Sequence, residues 1–502
     1  MKQFFLPFFL LINFLHASSF QALYKSIPPN ATSKYFAFYN LYPETFEGKQ
    51  ALEKGWKNLK IHLEKQSLTN IPSIDIHKII DIISYGSTNN HKILSEQEIE
   101  FIKQISMQLP HKSLKGHKLY SEEEILALPE NELDLARAIF VSKKASKQEI
   151  ASYEATLDLM AIHILAKLPP NPSIPTIIET MNQFLFFDLR FRFPPQSTYA
   201  KDIDTYTFLS SVMDSRRGVC LGVSTLYLCL AQRLNIPLEI ITPPGHIFIR
   251  YNNNNNIINI ETTARGIHLP SEEYLSIETK ALEKRTLKEV VGLIYMNEAS
   301  IYWMKKKYNT AKELYEKAQP YLKNDYLLKM FLGYQYLFTN QKEKGKALLA
   351  SIKDFIPPHH MSKDSIIEDY LSEKTGKEGI EAVYLSVDDN RESIIEKQKA
   401  LKKIVKKHPY FRMGLFQLAI TYLQLSQEKE AYSLLKKLHK MDSDNVIVNY
   451  YLAILSYKRY NFPAAKQYSE LCAKILESHK HMPKAFISLV KEINRKIPLN
   501  LS

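Results

Sequence analysis

The chain has 502 residues, of which 45% are hydrophobic and 24% charged, and this is enough for two or three domains with buried cores. Its 14 glycines form neither a GxGxxG nor a GxxxxGK[ST] loop, and its three cysteines form no CxxC pair. Glycine-rich nucleotide loops, a disulfide-dense scaffold and a cysteine zinc ribbon are therefore excluded.

The formal net charge is +13, and residues 286–502 carry 36 basic against 24 acidic side chains, which is nearly the whole excess. The lysines of this part alternate with glutamates at helical spacing and do not form an arginine-rich or aromatic-studded tract. This pattern indicates solvated helical surfaces, and no nucleic-acid partner is expected.

The chain opens with features of an export signal. Lys2 supplies a positive charge, Phe4 to Leu15 form an apolar run, and Ala17-Ser18-Ser19 has the small residues that a signal peptidase accepts. The run is shorter than the roughly twenty residues of a spanning helix. We therefore expect residues 1–19 to be a cleaved signal peptide, no transmembrane segment after it, and a periplasmic or secreted mature protein.

Residues 20–119 show helical periodicity without a chemical motif, with helices predicted over 47–65 and 96–108. Further amphipathic helices are predicted over 131–142, 148–167 and 174–187.

Cys220 is predicted at the start of an apolar helix that runs to Leu234, directly after a helix that ends at Arg216-Arg217-Gly218. Free backbone N–H groups and the helix dipole favour a thiolate at this position. Cys229 lies about 13 Å further along the same helix, which is too far for a disulfide. It is expected in the core. The two arginines are expected to act at the helix C-terminus and not in binding an acidic substrate group.

A predicted hairpin follows this helix. Strands over 246–251 and 257–261 are joined by a run of asparagines, so His246 opens one strand and Glu261 closes its partner. Antiparallel pairing brings these ends together, and a carboxylate can then hold the imidazole that deprotonates a thiol.

These residues resemble a known family. Gly218-Val219-Cys220, then His246, then Glu261 within Asn259-Ile260-Glu261-Thr262-Thr263 resemble the Cys, His, Asp order of the transglutaminase-like superfamily. Three further segments resemble the bacterial branch that joins this domain to tetratricopeptide repeats: Glu132-Leu133-Asp134-Leu135-Ala136-Arg137-Ala138, Leu209 to Gly218, and Pro244-Gly245-His246-Ile247-Phe248-Ile249-Arg250.

The resemblance implies an α+β, papain-like thiol domain over 120–285, in which Cys220 is the nucleophile, His246 the base and Glu261 the group that orients the imidazole. The superfamily more often has aspartate where Glu261 stands, and either carboxylate can orient a histidine. Many members of the narrower branch carry proline at the position of Cys220. The cysteine in this chain favours catalysis.

A 34-residue period begins after about residue 290. Ala299 pairs with Gly333, and Ala419 with Ala453, as the small residues where two helices touch. This pattern resembles tetratricopeptide repeats, so residues 286–502 are expected to form an all-α solenoid with a degenerate unit that ends at Pro409. Cys472 is expected as a packing residue.

The sequence thus predicts an exported thiol acyl-transfer protein. Cys220, His246 and Glu261 would act as a peptidase or amidase, or as a transamidase, without a metal or organic cofactor. The repeats would recruit a protein or peptide partner. Two alternatives stay open: a catalytically inert transglutaminase-like scaffold that acts through its repeats, and repeats that merely stabilise the domain.

Overall fold

The computed structural model describes residues 19–59, 82–83, 94–194, 206–253, 256–388 and 390–496. Residues 1–18 of the expected signal peptide, and the part of the first predicted helix beyond residue 59, lie outside the described residues. Helices predominate, and a small sheet separates an N-terminal helical part from a long helical array. The predicted class, an α+β domain followed by an all-α array, is confirmed.

Nine helices whose whole length lies within the described residues precede the sheet. They are α1 (Thr32–Leu41), α2 (Phe46–Asn58), α3 (Glu96–Ile105), α4 (Glu122–Ala127), α5 (Leu135–Ser142), α6 (Lys147–Lys167), α7 (Ile174–Asn182), α8 (Leu209–Ser215) and α9 (Cys220–Arg233). Serine side chains start α3 and α6 through capping boxes. A π-helical turn, Gln183–Asp188, continues α7.

The core of the domain is built on α6 and α9, which are apolar around most of their circumference. Leu157, Ala161 and Ile164 of α6 and Leu226 and Leu230 of α9 are all buried in one hydrophobic cluster. A helix that is apolar on most faces is stable only inside the protein. Cys220 therefore begins a helix that the core holds in a fixed position.

The sheet has four antiparallel strands in the order β3-β2-β1-β4. The strands are β1 (Glu239–Thr242), β2 (Phe248–Asn252), β3 (Ile257–Ile260) and β4 (Glu283–Arg285). In the hairpin, Ile249 lies opposite Ile260. His246 and Glu261 lie just outside the strand ends, whereas the sequence placed them within the strands.

The position of His246 has a local cause. Its backbone N–H donates to the carbonyl of Pro243 at 3.0 Å, and Gly245 between them has φ 71°. The backbone N–H of His246 is therefore used in this turn and not in a strand ladder, and the strand begins later, at Phe248.

Twelve helices of the described part follow β4. They are α10 (Leu287–Met304), α11 (Tyr308–Ala318), α12 (Tyr326–Phe338), α13 (Lys342–Ile352), α14 (Ser365–Leu371), α15 (Lys377–Val383), α16 (Arg391–Lys407), α17 (Arg412–Gln424), α18 (Glu428–Met441), α19 (Val446–Lys458), α20 (Phe462–Ser478) and α21 (Lys484–Lys496).

These helices form tetratricopeptide-like repeats. The strongest contacts join α10 to α11, α12 to α13, α17 to α18 and α19 to α20, as antiparallel pairs do. Gly333 and Gly345 mark a close approach within the second pair, where a Cβ on Gly333 would lie 2.8 Å from a Leu349 methyl group. The short helices α14 and α15 occupy the degenerate region. Among the described residues, no helix is both long enough and apolar enough to cross a bilayer.

Candidate active site

Cys220 is half-buried at the first position of α9. The preceding residue, Val219, donates its N–H to the carbonyl of Tyr206 at 3.0 Å. A Cβ on Gly222 would lie 2.5 Å from that same carbonyl oxygen, so glycine is required for the helix start to pack this closely. The first N–H groups of a helix have no partner within it and stabilise nearby negative charge.

His246 lies between Cys220 and Glu261. Its Nε2 atom is 2.6 Å from Oε2 of Glu261, and hydrogen bonding with Cys220 raises the pKa of the imidazole. Because Nε2 is engaged by the carboxylate, Nδ1 is the ring nitrogen left for the thiol. The His246 side chain is 28% exposed, whereas that of Glu261 is 6% exposed. Solvent and substrate can therefore approach the imidazole but not the carboxylate.

Glu261 is held in place by several donors. Thr263 donates to Oε1 through its hydroxyl at 2.6 Å and its N–H at 3.3 Å. The hydroxyl of Tyr274 donates to Oε2 at 3.0 Å. The next residue, Thr262, shares a hydrogen bond of 2.9 Å with Ser224 of α9. The carboxylate is thus tied to the helix that begins with Cys220.

The interaction between His246 and Glu261 favours a charged imidazole. Burial lowers the pKa of His246, but hydrogen bonding to Cys220 and Glu261 outweighs it and raises the pKa to about 10. Burial raises the pKa of Glu261, but the hydrogen bonds from His246 and Thr263 outweigh it and hold the pKa below its ordinary value. An imidazolium beside a thiol stabilises the thiolate, which is the nucleophilic form.

Tyr274 is a site residue that the sequence did not reveal. Its ring stacks on Phe248 of β2, with centroids 4.1 Å apart, and lies parallel to the His246 ring at 6.1 Å. It is separated from Glu261 by a loop and belongs to no recognisable motif. Its contact with the site depends on how that loop folds.

The other cysteines and Arg216 lie where the sequence analysis expected them, in the core and at a helix C-terminus. Cys229 and Cys472 are fully buried, and all three cysteines are free. Burial raises the pKa of the Cys229 thiol. Arg216 is the C-cap residue of α8 and has a left-handed conformation with φ 53°.

One group of side chains in the described part of the chain has spacing suited to a metal ion. One atom each of His111, His117 and Asp134 lie within 4.8 Å of one another. Arg233 lies beside them, and burial together with its charge lowers the pKa of His111. A fixed guanidinium disfavours a further cation here, and we assign the group to a buried ion-pair network.

A cavity of about 830 Å³ lies between the domain and the repeats. Pro244 and Glu278 line it from the domain, and Asp364, Phe416 and Val446 line it from the repeats. Pro244 is two residues from His246 in the sequence, and the lining includes neither His246 nor Cys220.

Residues 151–291 match the transglutaminase-like superfamily. The resemblance is thereby confirmed, and this part of the chain is a transglutaminase-like domain. The match begins later and ends slightly later than the range 120–285 expected from the sequence. No curated protein matches the chain.

Several solved structures are distantly similar. PilW, a type IV pilus biogenesis factor, is 13% identical, with 41% of this chain and 86% of that chain covered, at a TM-score of 0.23. A thermophilic TPR protein from Thermus thermophilus is 16% identical, with 41% of this chain and 98% of that chain covered, at a TM-score of 0.20. Yeast Tom70 is 11% identical, with 93% of this chain and 84% of that chain covered, at a TM-score of 0.23. At such scores these likenesses carry no inference about function.

The chain thus joins a transglutaminase-like domain to tetratricopeptide-like repeats. Within it, Cys220, His246 and Glu261 form one connected set that contains a nucleophile, a base and an orienting carboxylate.

Proposed function

We propose that the chain is a cysteine-dependent acyl-transfer enzyme that cleaves or transfers a peptide or amide bond. The observation that carries this proposal is the set Cys220, His246 and Glu261, with Nε2 of His246 2.6 Å from Oε2 of Glu261 and hydrogen bonding to both Cys220 and Glu261 raising the pKa of that imidazole. Nucleophile, base and orienting group in this order are the requirements of thiol acyl transfer.

In the proposed reaction, the thiol proton of Cys220 already resides on Nδ1 of His246, as the raised pKa of the imidazole favours, and the thiolate sulfur attacks the carbonyl carbon. The imidazolium then protonates the leaving amine as the carbon–nitrogen bond breaks and a thioester forms. Water, or a second amine, loses a proton to His246 and displaces the sulfur. Glu261 holds the ring throughout, and the N–H groups at the start of α9 face the developing oxyanion.

The cavity beside Pro244 supports a polypeptide substrate or partner. Its volume of about 830 Å³ is in the range of ligand-binding sites, and its lining joins the turn before His246 to the repeats. A peptide held between domain and repeats would lie beside the turn that precedes His246.

Export of the mature protein is a further part of the proposal, supported by the charged, apolar and small residues of 1–19. N-terminal sequencing of the protein from its native envelope or culture fluid tests it. A mature terminus close to residue 20 is expected, whereas a retained Met1 in the cytoplasmic fraction contradicts it.

The test of the chemistry uses the chain lacking residues 1–19 and a small activated ester. We expect a thioester at Cys220, detected by mass spectrometry of the digested protein, that is absent in Cys220→Ser. In His246→Ala, acylation should slow by about a hundredfold or more, whereas Cys472→Ser should react normally because that thiol is buried. Failure of Cys220 to acylate would leave a binding scaffold as the function.

A further inference from the structure

The loop that carries Tyr274 is in contact with the repeats. We call residues 271–280 the support loop. It begins with the 3₁₀ turn Ser271–Tyr274 and leads toward β4. Tyr274 donates to Glu261 at 3.0 Å, so the position of this loop fixes one of the hydrogen bonds of the candidate active site.

Ile277 anchors the support loop in the core of the repeats. Its side chain is 4% exposed and belongs to a hydrophobic cluster whose other members all come from the repeats or the segment before α14. These members are Met361, Val446, Cys472, Leu476 and Phe486. A buried isoleucine contributes about 1.5–3 kcal/mol through the hydrophobic effect, so this anchor resists displacement.

Polar contacts hold the loop from two sides. Nε2 of His481, between α20 and α21, lies 2.7 Å from the carbonyl oxygen of Ser276. On the other side, the N–H of Met361 donates to the carbonyl of Glu278 at 3.0 Å, and the N–H of Lys280 donates to the carbonyl of His359 at 2.9 Å. Lys484 of α21 also forms an ion pair with Glu273, next to Tyr274.

His481 lies 205 residues after Ser276, so these contacts connect the last repeats directly to the active-site loop. We propose that the repeats position Glu261 through the support loop, with Tyr274 as the positioning residue, an inference that rests on the function proposed above. The repeats then do more than recruit a partner, because their packing sets how strongly the carboxylate orients His246.

The test loosens the loop at its far end, away from the thiol. His481→Ala removes the hydrogen bond to Ser276, and Ile277→Ala shortens the apolar anchor. His479→Ala is the matched control, because His479 is exposed and bonds to the carbonyl of Ile475 in its own helix. Tyr274→Phe keeps the stacking on Phe248 and removes only the hydroxyl contact with Glu261.

Two readouts are measured on the full chain lacking residues 1–19. Hydrogen exchange at the amides of Lys280 and Met361 reports whether the repeats hold the loop. The rate of iodoacetamide alkylation at Cys220 in mildly acidic buffer, divided by the rate in alkaline buffer, reports the support that His246 gives the thiolate. Simple loss of access or stability would lower both alkylation rates together, whereas loss of positioning lowers the ratio.

We expect both loosening variants to speed exchange at the two amides and to lower the alkylation ratio by about threefold to tenfold, a loss on the scale of one ordinary hydrogen bond. Tyr274→Phe should lower the ratio similarly, and His479→Ala should change neither readout. Faster exchange with an unchanged ratio, or unchanged exchange, overturns the inference. If the native ratio is the same as that of His246→Ala, the proposed function itself fails.

Discussion

Glu261 binds the imidazole of His246, with Oε2 2.6 Å from Nε2. This contact occupies Nε2 and restrains the ring, which leaves Nδ1 as the ring nitrogen available to Cys220. The catalytic proposal depends on this one relationship, because a free imidazole in the same place would neither stay aligned nor retain a proton beside the thiol.

Glu261→Gln should weaken acylation of Cys220 by about a hundredfold or more, because a neutral amide does not stabilise the imidazolium that forms during catalysis. Glu261→Asp should retain more activity, since a carboxylate remains. The measurement is the initial rate of thioester formation at fixed ester concentration. Equal rates for the native protein and Glu261→Gln would show that the carboxylate has no part in the chemistry.

Stability should depend on pH through His246, whose pKa rises from 6.5 to about 10 on folding. A base with a raised pKa binds its proton more tightly in the folded state, so its stabilising contribution is complete below pH 6.5 and disappears as the pH approaches about 10. Over this interval, the free energy of unfolding in urea should fall more for the native protein than for His246→Gln. Parallel curves would contradict the raised pKa.

His163 should have the opposite effect. It is 1% exposed, packs on Phe184, and neither ring nitrogen has a hydrogen-bond partner among the described residues. Burial and the nearby Lys167 lower its pKa to about 3. Between pH 6.5 and 3 the unfolded chain therefore binds a proton that the folded protein does not, and stability falls as the pH is lowered.

His163→Leu should remove this loss, because the leucine has a similar volume and does not titrate. Urea unfolding in acidic buffer is expected to show a smaller decrease for His163→Leu than for the native protein. An exposed histidine, changed as His479→Leu, serves as the control. An equal decrease in all three proteins would place the acid sensitivity elsewhere.

The buried ion pair between α6 and α9 should be important for stability. Nε of Arg233 lies 2.8 Å from Oδ1 of Asp158, and both side chains are 0% exposed. Burial raises the pKa of Asp158, but the charges of Arg233 and its neighbours outweigh it and keep the carboxyl ionised. Arg233→Met should destabilise the protein by about 3–5 kcal/mol, because it leaves a buried charge without its main partner.

The double variant Arg233→Met with Asp158→Leu provides the control, since replacing both partners removes the stranded charge. It should unfold at a higher urea concentration than Arg233→Met alone. Additive losses in the double variant would mean that the two charges do not interact.

The sequence was enough to predict those parts of the site that depend on neighbouring residues in the chain. Cys220 begins its helix because Gly218 and Gly222 allow the chain to pack closely around it, and both glycines are visible in the sequence. The hairpin brings His246 and Glu261 together through the short-range pairing of Ile249 with Ile260. The small residues of the repeats likewise predicted the packed helix pairs. They recur at a fixed spacing because each repeat packs its two helices in the same way.

What long-range packing determines could not be predicted. Tyr274 reaches Glu261 through a loop whose course is set by contacts with His481 and Met361, far along the chain. No periodicity or motif connects residues so distant in sequence. Arg216 takes a left-handed conformation without glycine, because residue 192 pairs with this segment: its N–H donates to the carbonyl of Arg216 at 3.2 Å.

The most direct test of the account is the rate of iodoacetamide alkylation at Cys220 in mildly acidic buffer, compared between the native chain and His246→Ala. Peptide mapping separates Cys220 from Cys229 and Cys472, which are buried and serve as unreactive internal controls. We expect rapid alkylation of Cys220 in the native chain and a loss of about tenfold or more in His246→Ala, since the thiolate is the reactive form. A Cys220 that is unreactive when folded, or that reacts equally without His246, would contradict it.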